Sequence, residues 1–139
     1  MMLADPLRRF VPMPVEADLR VSGRVVRFQT NCQAVADQLR RALASAPAGG
    51  TEAPLVICRI VTDSYAGVDP TAESLGRHRV AHNGLAFIRM GHQSFIAADR
   101  DAHEVIAFIP EGLARDARLF RDFFVPALIS LFDEFDEAR

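Results

Sequence analysis

The sequence predicts a single α+β domain. It should hold a mostly antiparallel sheet of five to seven strands, one helix after the first hairpin, and a C-terminal helix or kinked helix pair packed on the sheet. Three observations predict it. Two short alternating segments flank Ser22–Gly23 and run into a stretch of helical period that starts at Cys32. Four apolar segments between Arg77 and Pro110 follow one another with only tight turns between them, which means antiparallel pairing. From Glu111 onward the apolar residues recur every three or four positions, the period of a helix with one buried face.

Taken in order, residues 1–16 (MMLADPLRRFVPMPVE) carry three prolines and little periodicity, so they read as an extended arm, with the domain proper over 17–139. DLRV and RVVRFQT around Ser22–Gly23 form a hairpin in which Val26 and Phe28 point one way and Arg27 the other. Asn31 is placed to cap a helix whose stripe is Cys32, Val35, Leu39 and Leu43. The segment APAGGTEAP is a connector. Leu55–Thr62 is almost continuously apolar and β-branched, as in a central strand buried on both faces. A polar loop rich in Gly and Pro follows it, the kind of segment where binding residues tend to sit. Asn83–Gly84 is the strongest two-residue hairpin signal in the chain. In the last segment Leu113, Ala117, Phe120, Phe124, Leu128, Leu131 and Phe135 make the stripe. Pro126 interrupts it, which calls for a kink or for two helices meeting there.

Composition excludes several functions. With 139 residues, half of them hydrophobic and ten of them phenylalanine, the chain can build a core without metals or disulfides. All sixteen basic residues are arginines, so lysine Schiff-base chemistry is excluded, as is a phosphate loop of the G-x-x-x-x-G-K-[ST] type. A net charge of −2 argues against nucleic acid as a partner, and no apolar run approaches the ~20 residues that span a bilayer. The two cysteines, Cys32 and Cys58, have no export segment ahead of them, which points to reduced thiols in a cytoplasm. No cofactor is expected.

The tail poses the main question. Phe124, Leu128, Leu131, Phe132 and Phe135 cover a wider arc than one sheet needs. They either wedge into the chain's own core or form an interaction surface for a protein partner or a second copy. Asp133, Glu134, Asp136 and Glu137 crowd the helix end that favours cations, which leans toward a segment continuing elsewhere.

In this order, RVSGRVVRFQTNCQAVADQLRRAL, a block of strands and RLFRDFFVPALISLF resemble the segment ahead of the kinase domain in bacterial HPr-kinase-like proteins. The similarity spans about residues 16–132 and rests on element order. No phosphate loop is present, so the resemblance implies an accessory, regulatory domain and carries over no kinase activity.

Few residues offer chemistry. His78 and His82 lie four apart on a strand, roughly 13 Å, too far to share one metal. Asp99, Asp101 and His103 are the best acid–histidine cluster for a cation, although the same residues suit a hairpin turn. Arg77 and Arg79, with Arg89 on the next strand, could hold a phosphate or carboxylate. No serine lies in a nucleophile elbow, and Cys58 reads as a small core residue. Two functions follow: a noncatalytic interaction domain docking through its terminal helix, or a small-anion-binding or metal-assisted enzyme that uses the arginine–histidine face.

Overall fold

A computed structural model of the chain describes residues 12–21, 23–43, 53–63, 77–82, 84–90 and 94–135. Seven strands form one sheet: β1 (Val15–Val21), β2 (Arg24–Thr30), β3 (Val56–Asp63), β4 (Arg77–His82), β5 (Leu85–Met90), β6 (Ser94–Asp99) and β7 (Glu104–Pro110). Helix α1 (Gln33–Leu43) follows the first hairpin, and α2 (Glu111–Arg115), α3 (Ala117–Leu119) and α4 (Val125–Phe132) close the chain. The strand order is β1-β2-β3-β7-β6-β5-β4.

The α+β class holds, but the sheet is mixed rather than mostly antiparallel. Strand β3 runs parallel to both of its neighbours, β2 and β7, while the other pairings are antiparallel. The cause is connectivity. Helix α1 carries the chain across the sheet face, so β3 returns parallel to β2, as a crossover requires. The meander β4-β5-β6-β7 then folds inward from the far edge and lays its last strand along β3. Two of the expected hairpin turns carry glycine at positive φ, Gly23 between β1 and β2 at 81° and Gly84 between β4 and β5 at 82°, where a β-carbon would strain the backbone.

All the helices lie on one face. Helix α1 packs on β1 and β2, α2 on β3 and β7, and α4 on β6. Along every strand with described side chains, alternate residues turn into this layer: Leu19 on β1, Phe28 on β2, Cys58 and Ile60 on β3, Ile88 on β5, Ile96 on β6 and Ala107 on β7 are all buried. Strand β3 is interior to the sheet, as its sequence implies, but only its helix-side residues and Val61 are buried, while Ile57 and Arg59 stay half-covered. Asn31 does not cap α1. Its amide instead clamps β3, accepting from the Thr62 N–H at 2.8 Å and donating to the Thr62 carbonyl at 2.9 Å, and the Cys32 N–H is met by Thr30 Oγ1 at 3.2 Å.

The tail is interior. Phe124, Leu128, Leu131, Phe132 and Phe135 are between 0% and 6% exposed, which removes them as an interaction surface. The wide apolar arc has a physical reason: α4 meets the sheet on one side, and α4 and the turn before it meet α1, α2 and α3 on the other. Phe132 sets its ring edge-on to Phe28 on β2 at 6.1 Å, and its carbonyl accepts from Arg24 Nη1 at 3.3 Å. The chain breaks at Asp116 rather than at Pro126. Asp116 Oδ1 caps the next turn, accepting from the N–H groups of Arg118 and Leu119, and Ala117, expected on the buried stripe, is exposed. Pro126 is absorbed without a break by a π-helical turn, Phe120–Phe124, in which the Val125 N–H reaches the Phe120 carbonyl five residues back. The wider turn relieves the clash a proline ring makes with the carbonyl four residues before it. No helix among the described residues is long and apolar enough to cross a membrane.

Candidate docking face

With every helix among the described residues on one side, the second face of the sheet presents the alternate residues of each strand. Register lines them up in rows. One row runs Glu16, Gln29, Arg59, Ile106, Ala97, Phe87 across β1, β2, β3, β7, β6 and β5; the next runs Asp18, Arg27, Ile57, Glu104, Asp99, Leu85. A third, on the far side of the first, places Phe108, Phe95 and Arg89 side by side on β7, β6 and β5.

The rows divide into two chemically distinct halves. Over β1, β2 and β3 the face is polar and internally matched. Arg27 donates from Nε and Nη2 to the two carboxylate oxygens of Asp18 at 3.0 and 3.2 Å, and Glu16 lies 3.6 Å from its Nε. The bond to Asp18 holds the Arg27 guanidinium above its usual pKa. Gln29 donates to Glu16 at 3.0 Å and accepts from Arg59 Nε at 3.3 Å, and Arg59 Nη1 bridges to Glu104. One chain of contacts therefore ties four strands together, each partly exposed pair adding little by itself.

Over β7, β6 and β5 the face is apolar. Phe95 and Phe108 stack at 4.8 Å between centroids, and Leu85 and Phe87 are each 41% exposed, the large hydrophobic side chains left most open to solvent among the described residues. A groove of about 260 Å³ runs along the boundary, with Leu85, Phe87, Ala97 and Ile106 on its apolar side and Arg59, Asp99 and Glu104 at its polar rim. Contact sites on protein surfaces are often apolar patches edged by charge.

The expected site residues are placed as follows. The side chains of residues 77–82 lie outside the described part, so Arg77 and Arg79 are known only by register: Arg77 pairs with Met90 and Arg79 with Ile88. Arg89 pairs with His78 instead, one position out of step with both arginines, and is exposed at the end of the apolar half. The polar loop after β3 lies outside the described residues.

Asp99, Asp101 and His103 form the β6–β7 turn rather than a metal centre. Asp99 Oδ1 accepts from the N–H groups of Asp101 and Ala102 at 3.1 and 3.2 Å. His103 takes φ of 54°, with its Nδ1 3.1 Å from the Leu55 carbonyl and its ring 5.6 Å from that of Phe135. The histidine is turned toward Leu55 and Phe135 while the Asp99 carboxylate serves the turn, and no group of three His, Cys, Asp or Glu side chains that could hold a metal ion occurs among the described residues. Cys58 is fully buried, and burial pushes its thiol well above the usual range, so it is a core residue and not a nucleophile.

The apolar half of this face was not picked out from the sequence, though a signal for it exists. In LAFIRM, SFIAAD and EVIAFIP the apolar residues are consecutive instead of alternating, so both sides of those strands are apolar while the helices cover one.

No protein-family model, no curated protein and no solved structure matches this chain.

Proposed function

We propose that this chain is a noncatalytic accessory module that works by contact, and that its contact surface is the apolar half of the open sheet face. One observation carries the reading: Leu85 and Phe87 stand 41% exposed beside the stacked Phe95–Phe108 pair on a face that no helix among the described residues covers. Covering such a patch is favourable in proportion to its apolar area, and the sheet beneath it is rigid. The polar half, already matched within itself, frames the patch and fixes where an occupant ends. This reading rests on the surface and does not depend on the resemblance to HPr-kinase-like proteins.

Site-specific photo-crosslinking tests it. Benzoylphenylalanine replaces Phe87 on the open face in one variant and the exposed Arg121 on the helix side in a second, and both are illuminated in the source cells. Protein adducts, with this chain itself counted among the possible partners, are expected from position 87 and not from 121. Adducts equal at both positions, or absent at 87, contradict the reading.

A further inference from the structure

We draw no further inference here: the strongest candidate, the apolar patch around Leu85 and Phe87 on the open face of the sheet, belongs to the contact site already described, and nothing in the structure shows what covers it.

Discussion

Replacing Leu128 with alanine separates a structural tail from a docking tail. Leu128 is 1% exposed and lies in the hydrophobic core that α4 shares with the sheet. Truncation removes three carbons from a site closed in by the sheet and by the helical turns on either side of α4, so the space is expected to persist in part as a cavity. Losses for buried leucine to alanine run from about 2 to 5 kcal/mol, and the confined site places this one near 3 kcal/mol. A domain of ordinary stability, about 5 to 15 kcal/mol, survives the loss. In urea, with a slope of about 2 kcal/mol per molar, the midpoint should fall by about 1.5 M with the slope unchanged. Photo-crosslinking from position 87, measured where both proteins are folded, should not change. A midpoint shift under about 0.3 M, or normal stability with lost crosslinking, would refute the assignment of the tail to the core.

Phe87→Ser should do the reverse. At 41% exposure the ring adds little to stability, so the urea midpoint is expected to move by less than about 0.5 M, while photo-crosslinking from benzoylphenylalanine placed at Leu85 falls by about tenfold or more. Cys32, half-buried, should react with iodoacetamide in the native protein, whereas Cys58 reacts only on unfolding, because burial raises its thiol and blocks access; peptide mapping of the labelled cysteines reads this directly. The Asp122 carboxyl is held below its ordinary value mainly by the hydrogen bond from Arg121. What that bond contributes to stability is present above the unfolded pKa near 4 and is lost as pH falls through the folded value. Carboxyl NMR titration should show a lowered midpoint that returns toward the ordinary one in Arg121→Ala. Asn31→Ala should destabilise by about 1 to 2 kcal/mol, read as a lower thermal midpoint, since it leaves the half-buried N–H and carbonyl of Thr62 without their partner.

Much of the fold was legible because local chemistry dictates it. Gly23 and Gly84 supply the positive φ that their hairpins need, and the spacing from Val35 to Leu39 names the buried face of α1. Strand partnership was less legible. The run Leu55–Thr62 announces an interior strand, but nothing within it says that both neighbours run parallel, because that depends on where a meander closes some fifty residues later. The tail stayed open between core and contact surface for a related reason. Phe124 and Phe135 look excessive against a sheet alone, and the packing of α1 and α2 against the turn before α4 accounts for the width of the arc. Pro126 named the strain correctly but not its relief, since a π turn leaves no mark in residue spacing. The open apolar face was missed at Phe87, where an apolar side chain looks the same in sequence whether a helix covers it or not.

Hydroxyl-radical footprinting across a dilution series, read by mass spectrometry at single residues, tests the division of the molecule into a covered face and a contact face. The account predicts that Leu85 and Phe87 are oxidised readily in dilute protein, while Phe120, Phe124 and Phe132 stay protected throughout. Oxidation of the tail phenylalanines as fast as Phe87 in the folded chain, or protection of Phe87 at every dilution, would contradict it.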